Sequence, residues 1–542
     1  MVARLGQVPT VRMEGFVTIA DSVVEAQKVL HGISLSDPGF VLNTLAANPT
    51  TGVAAPAATR RPWQPPGLAV IFFTEMWERF SFYGMRALLV LYLVKSLGYK
   101  DVDANEVLGI YAGLVYVTPM IGGWIADRWL GMRFAAVVGG SVMMLGHFAM
   151  AVPSLLHVAL GLLIVGNGFF KANTSSMVGE LYDGVSDPRR DGGYSIFYMG
   201  INLGAVLSPF VCGTLGEKVG WHYGFASAGV GMAIGLVTLL SFQRVIGRAG
   251  LREGQAPIGW NNAPAIALWC AGSIAIVYLA LFVGPVISAL PVAVKFALAL
   301  AAIGAAVLLP RMIGGKTVGG DKLTGAEWQR IVAICVVTLF SVFFWMGFEQ
   351  AGGSMNLFAD QQTQRTLWGF EVPASWFQSI NSAAILLLGP LFAFGWSWMN
   401  RSRYPLPDSA KQGLGLIVLG LSFVLMDRAK VLADATGPVS PMWLFYAYVI
   451  QTVGELMLSP VGLALTSRAA PARVAALLMG VWMLSNAAGN YLAGTLGKIM
   501  AGTGIAPYKF LYMAAIGAGV LLLLITPILH KMLRRRDEST VI

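Results

Sequence analysis

Glu75, Glu78, Arg79, Arg86, Lys171, Glu349 and Glu455 are charged side chains inside otherwise apolar stretches. A charge at the centre of a bilayer costs about 2.5–3.5 kcal/mol on insertion scales, so each demands a compensating arrangement. The densest run is Thr74-Glu75-Met76-Trp77-Glu78-Arg79-Phe80-Ser81-Phe82-Tyr83-Gly84-Met85-Arg86. On a helix turning about 100° per residue, with Glu75 at zero, Arg79 falls near 40°, Tyr83 near 80°, Arg86 near 20° and Glu78 near −60°. These groups share an arc of roughly 140° and can face an internal cavity while the rest of the helix meets apolar neighbours. An i,i+4 ion pair between Glu75 and Arg79 accounts for one acid and one base only. Lys171 lies mid-segment after Gly166-Asn167-Gly168-Phe169-Phe170, where snorkelling is hardest. Glu349 follows Phe343-Phe344-Trp345, and Glu455 sits among Val453, Gly454, Leu456 and Met457. Such a cavity can hold a small zwitterion between separated opposite charges. It also leaves carboxyls able to take protons, because burial favours their neutral form.

Long apolar helices must position these groups. The chain has 542 residues, of which 56% are hydrophobic and 12% charged, against about 25% charged in a soluble domain. Helices are expected at roughly 66–97, 104–127, 132–151, 154–180, 191–217, 222–245, 263–286, 289–309, 325–355, 373–398, 410–427, 440–468, 471–500 and 507–533. That is an all-α membrane protein with about 14 transmembrane helices. Pro390 and Pro460 are natural bend points. Basic residues concentrate in alternate breaks, among them Arg128, Arg133, Arg189, Arg190, Arg244, Arg248, Arg401, Arg403, Arg468 and Arg473, and at both ends. The positive-inside rule therefore puts both termini in the cytoplasm.

Residues 255–322 carry almost no polar group at membrane depth, unlike helices that line a solute path. The expected organisation is an N-terminal extension over 1–62, a six-helix bundle over 63–250 and a two-helix insert over 251–322. A second six-helix bundle over 323–533 and a cytoplasmic tail over 534–542 complete it. The extension is read as poorly ordered and cytoplasmic, and is a poor signal peptide.

The formal charge of +10 does not mark a nucleic-acid binder, since the basic residues are scattered between apolar runs. Cys212, Cys270 and Cys335 lie singly in apolar runs, and His31, His147, His157, His222 and His530 have no metal-ligand partner at useful spacing. No metal and no cofactor is expected. No GxxxxGK[ST] motif suggests nucleotide-driven transport, and no HExxH or Ser/His/Asp cluster suggests an enzyme.

The segment Glu75-Met-Trp-Glu78-Arg79-Phe80-Ser-Phe82-Tyr83 resembles the ExxERFxYY signature of the proton-dependent oligopeptide transporters, a family of the major facilitator superfamily. Phe197-Tyr198-Met-Gly-Ile-Asn202-Leu-Gly204 resembles its second signature, FYxxINxG. Around Tyr116 to Arg128, Lys171 to Asn173, Phe344 to Gln350, Trp376 to Asn381, Glu455 to Leu463 and Met479 to Trp482, further pieces are similar to the family in the same order. The resemblance spans about 66–533, and it implies the major facilitator fold and a bacterial symporter in the inner membrane importing di- and tripeptides with protons. It implies that Arg86 and Lys171 hold the peptide carboxylate, and Glu455 the amine. Asn202 and Asn381 would contact the peptide backbone or termini, while Tyr83, Tyr116, Trp345 and Trp482 line side-chain pockets. Glu75, Glu78 and Arg79 would form a proton-coupling cluster, with Glu349 exchanging its pairing to Arg86 for a proton. Phe82, Ala172 and Met483 depart from the family pattern, which bears on substrate preference, local helix shape and pocket width. A monomer is expected to suffice. The alternatives are a proton-coupled carrier of nitrate or another small anion and, less fitting, an integral membrane enzyme. An anion carrier gains little from a buried acid such as Glu455.

Overall fold

The computed structural model describes residues 63–184, 187–288, 323–367, 369–403, 405–471 and 474–533. The extension 1–62, the second insert helix expected at 289–309 and the tail 534–542 lie outside them. The first half contains α1 (Gly67–Lys95), α2 (Asp101–Ile125), α3 (Met132–Ala149), α4 (Leu156–Gly179), α5 (Arg190–Ser208) and α6 (Trp221–Ser241). Next comes α7 (Ala263–Ser288). The second half contains α8 (Gly325–Phe348), the short α9 (Ser354–Gln361), α10 (Ser379–Asn400), α11 (Asp408–Thr436), α12 (Met442–Ala469), α13 (Ala475–Met500) and α14 (Pro507–Leu533). Among the described residues, 10 helical segments are long and apolar enough to cross a membrane. The long helices outside that group are α1, α11 and α13. Charges in α1 and α11, and Asn486 and Asn490 in α13, lower their hydropathy.

The two halves repeat one packing scheme. In the first, α1 packs on α5 and α6, α2 on α4, and α3 on α4 and α6. In the second, α8 packs on α13 and α14, α10 on α12, and α11 on α12 and α14. Matching α1–α6 to α8, α10, α11, α12, α13 and α14 in order reproduces every pair, the internal repeat expected of a rocking-bundle carrier. The contacts between the halves obey the same correspondence, α2 against α13 and α5 against α10. Where α2 meets α13, Gly109 and Gly494 allow backbone contact. A Cβ on Gly109 would lie 2.7 Å from the Gly494 Cα. With no hydrophobic drive between helices in lipid, close approach at small residues supplies the packing.

Three helices differ from their sequence expectation. The helix expected over 325–355 stops at Phe348, tightens to a 3-10 turn over Glu349–Gly352, and resumes only at Ser354. Gly352 and Gly353 permit this break, and a Cβ on Gly353 would lie 2.2 Å from Asn105 Oδ1. The helix expected to 217 loses α geometry at Pro209, which has no N–H to donate; wider π turns carry it to Val219. The helix expected over 410–427 runs from Asp408 to Thr436. Its charged end continues helically, with Lys430 and Asp434 paired one turn apart at 2.5 Å. Pro390 and Pro460 lie inside α10 and α12.

The insert helix α7 sits against α3 and α4, with Trp269 edge-on to Phe169 at 5.7 Å. The segment leading to it is pinned beneath the first half. Buried Arg133 donates to the carbonyls of Gly247 (2.9 Å) and Ala249 (3.1 Å), and Gln243 exchanges hydrogen bonds with the backbone of Ile258 at 2.7 and 2.9 Å.

At the end of the bundle opposite residues 63 and 533, polar contacts tie the halves together. Glu217, beyond α5, accepts from Ala374 N (2.8 Å), Ser375 N (2.9 Å) and Ser375 Oγ (2.6 Å) ahead of α10. Trp376 Nε1 donates to Thr214 Oγ1 at 2.9 Å. Lys95 pairs with Asp360 at 2.9 Å across the halves, while Arg365 steadies Asp360 at 3.0 Å and Glu371 at 3.1 Å within the second half. Lys218 pairs with Glu371 at 2.6 Å; its hydrogen bond, then Arg365, holds that loop carboxyl below the usual range. The other end is looser, for α10 buries only Ser379, Ser382, Ala384 and Ile385, all in its first third.

Candidate functional site

Three polar clusters lie between the tied end and the terminal end. The first is on α1. Glu75, Glu78 and Arg79 are 1%, 0% and 2% exposed. Arg79 Nη2 donates to Glu78 Oε1 at 2.7 Å, and Arg79 Nε lies 3.4 Å from Glu75 Oε1. From α4, Thr174 Oγ1 donates to Glu75 Oε2 at 2.9 Å. The guanidinium lies 4.9 Å above the Phe82 ring. One base thus serves two acids, so the site carries a net negative charge while both are ionised. A proton on one acid removes that imbalance without stranding Arg79, an arrangement suited to proton binding.

The second cluster joins the halves. Arg86 of α1 pairs with Glu349, which the 3-10 turn after α8 presents. The break in that helix makes room for the guanidinium, since a Cβ on Gly352 would lie 3.0 Å from Arg86 Nη2. Arg79 and Arg86 are seven residues apart on one helix, about 10 Å along its axis. Tyr83 lies between them in sequence and packs edge-on to Phe82.

The third cluster belongs to the second half. Asn381 Nδ2 on α10 donates to Glu455 Oε2 (3.0 Å) and Thr452 Oγ1 (2.9 Å) on α12. This holds the Glu455 carboxylate without neutralising it. A cavity of about 130 Å³ separates the second and third clusters. The first half contributes Tyr83, Arg86, Tyr116, Tyr198 and Asn202 to its wall; the second contributes Trp345, Glu349, Gln378, Asn381, Tyr448, Gln451 and Glu455. Acid and base therefore face one space from opposite halves, as a zwitterion of matching length requires.

Of the residues singled out from sequence, Tyr83, Arg86, Tyr116, Asn202, Trp345, Glu349, Asn381 and Glu455 lie on this cavity. Lys171 lies beside it with Nζ 4.8 Å over the Tyr116 ring. Trp482 is turned away into α12, its ring filling the space over Gly462, where a Cβ would meet Cη2 at 2.0 Å. Glu75, Glu78 and Arg79 form their own buried cluster on α1. Sequence reasoning missed Thr174, Tyr198, Gln378, Tyr448, Gln451 and Thr452. Helical spacing was the available signal: Thr174 is three residues after Lys171, Tyr198 four before Asn202, Gln378 three before Asn381, and Gln451 and Thr452 four and three before Glu455. No group of three or more His, Cys, Asp or Glu able to hold a metal occurs among the described residues.

Residues 134–510 match the POT family (PTR2). The chain belongs to the POT family. It is 36% identical over 488 residues to an uncharacterised transporter, YclF, of Bacillus subtilis, covering 87% of this chain and 95% of that one. It is 34% identical to the peptide transporter YePEPT of Yersinia enterocolitica, covering 88% of this chain and 97% of that one. It is likewise 34% identical to a di-/tripeptide transporter of Lactococcus lactis, over 86% and 97%. Among solved structures it resembles a peptide transporter POT in complex with sulfate, with a TM-score of 0.71, 36% identity and coverage of 87% and 96%. A POT family transporter bound to 5-aminolevulinic acid gives 0.71, 31%, 86% and 97%. Tetrameric PepTSo2 gives 0.66, 25%, 86% and 99%. Membership of a family of transporters, together with the long apolar helices, makes the chain a multi-pass integral membrane protein with the major facilitator architecture.

Proposed function

We propose that the protein is a proton-coupled symporter that imports di- and tripeptides by alternating access, acting as a monomer. The observation that carries this reading is the cavity itself: a base and its partner acid, Arg86 and Glu349, cross between the halves opposite the Glu455 carboxylate. The peptide lies between them. Glu455, steadied by Asn381, takes the amine. Arg86 and Lys171 take the carboxylate, and Asn202 and Asn381 take the backbone. A peptide carboxylate competes with Glu349 for Arg86. A proton on Glu349 frees Arg86 for the peptide, which makes the two loads interdependent. Glu75, Glu78 and Arg79 carry the second protonation site, linked through Thr174 to the helix that bears Lys171.

The sidedness follows from the loop charges. Both termini face the cytoplasm of a bacterial inner membrane, so the tied end faces outward. The arrangement is then the inward-facing one. Return to the outward-facing state requires release of the Glu217, Lys95 and Lys218 contacts and closure of α5 and α10 at the terminal end. The relatives named as peptide and di-/tripeptide transporters support the substrate class, and the buried Glu455 disfavours a nitrate carrier.

The test is uptake of labelled dialanine into liposomes under an imposed inward proton gradient, with competitors added outside. Unlabelled di- and tripeptides are expected to compete, and tetrapeptides, free amino acids and nitrate to leave uptake unchanged. Competition by nitrate alone would overturn the proposal.

A further inference from the structure

We propose that Gln378 and Gln451 form a subsite that selects a neutral hydrogen-bonding side chain, an amide or a hydroxyl, on the first residue of the peptide. The proposal rests on the peptide reading of the cavity. Gln451 is 1% exposed and lines the cavity, with Nε2 donating to Met355 Sδ at 3.2 Å. With the amide so placed, its Oε1 has no hydrogen-bond partner. From the 3-10 turn Ala374–Gln378 just ahead of α10, Gln378 also lines the cavity, and its buried Nε2 also has none. Trp345, 7% exposed and on the same wall, adds an unpartnered indole N–H. Three residues of one cavity wall thus each carry a buried polar atom without a partner, one acceptor and two donors. Primary amides and hydroxyls both donate and accept; an ammonium only donates, a carboxylate only accepts, and a hydrocarbon does neither.

The position along the peptide follows from the helices. Gln451 is one turn before Glu455 on α12, and Gln378 is one turn before Asn381. Both helices start at the tied end, so the glutamines form a layer about 4.5–6 Å from the amine-binding layer on that side. The side chain nearest the amine is that of the first residue. The second residue lies one Cα step, about 3.8 Å, further towards Arg86 and Lys171. A leucine at the first position would displace any other partner and leave buried polar atoms unpaired, a larger loss than a hydrogen bond gained.

The experiment is competition against labelled dialanine in proteoliposomes by Gln-Ala, Leu-Ala, Ala-Gln and Ala-Leu. For the parent protein, Gln-Ala is expected to half-inhibit at a concentration about threefold to tenfold below that of Leu-Ala, the worth of one net hydrogen bond. Ala-Gln and Ala-Leu should show no comparable gap. In Gln451→Leu and Gln378→Leu the first-position gap should shrink to within about twofold. The ratio is read within each protein, so differences in yield do not affect it. For a variant too slow to assay by uptake, the same ratio is read from peptide binding to purified protein by thermal shift. No gap in the parent, an equal gap at the second position, or a gap that survives both substitutions would overturn the subsite while leaving peptide transport standing. Absence of dialanine uptake by the parent would overturn both.

Discussion

Replacing Glu217 should unlatch the tied end of the bundle. Its carboxylate accepts from Ala374 N, Ser375 N and Ser375 Oγ at 2.6–2.9 Å. Its side chain is only 5% exposed. Hydrogen bonds to a charged group contribute about 1.5–3 kcal/mol each, and an orphaned buried donor costs about 1–3 kcal/mol. In Glu217→Gln one oxygen remains to accept and the new NH₂ faces a backbone N–H, so one donor is orphaned. A loss of about 3 kcal/mol follows, roughly a hundredfold shift between the closed and open arrangements of that end. The neighbouring Lys95–Asp360 pair cannot compensate, because its lysine is 43% exposed and such pairs contribute about 0–1 kcal/mol. The assay is the spin-label distance between Val219→Cys and Leu367→Cys, exposed positions on opposite halves, in detergent and in liposomes. Glu217→Gln should raise the longer-distance population well above its level in the parent. An unchanged distribution would refute the view that this carboxylate holds the end shut.

Glu455→Gln should weaken dialanine binding by tens-fold or more, since losing one member of a desolvated charge pair costs about 2–5 kcal/mol. An N-acetylated peptide should bind the parent weakly and lose little further in the variant; independent, additive losses would show that Glu455 does not meet the amine. Glu75→Gln and Glu78→Gln should retain peptide counterflow but fail to accumulate peptide against its gradient, and full accumulation in both would place coupling elsewhere. Gly109→Leu should lower the thermal midpoint measurably, because even a Cβ there lies 2.7 Å from the Gly494 backbone and overpacking costs about 1–3 kcal/mol. An unchanged midpoint would mean that α2 and α13 do not need this close approach.

The helices were legible because lipid demands long apolar runs, and the polar cluster on α1 because the groups repeat at helical spacing. Arg86 and Glu349, 263 positions apart, were paired in advance only through family resemblance; no local periodicity links them. The break at Gly352-Gly353 was hidden, since an apolar run reads as continuous helix until the guanidinium that fills the gap is placed. Trp482 shows the converse. Its motif was plain, but its ring direction is set by Gly462 on another helix. Gln378 and Gln451 lay one turn from recognised residues and were passed over because uncharged amides carry no insertion penalty large enough to stand out. The Glu217 latch depends on contacts more than 150 positions away and had no signature at all.

The central claim, that peptide and proton enter together, is tested most directly by a pH-sensitive dye sealed inside proteoliposomes. External dialanine is added with the starting pH equal on both sides and the voltage clamped by potassium and valinomycin. The lumen should acidify as dialanine enters, should not respond to nitrate, and should not respond in Glu75→Gln or Glu78→Gln. Dialanine entry without acidification, or acidification driven by nitrate, would contradict it.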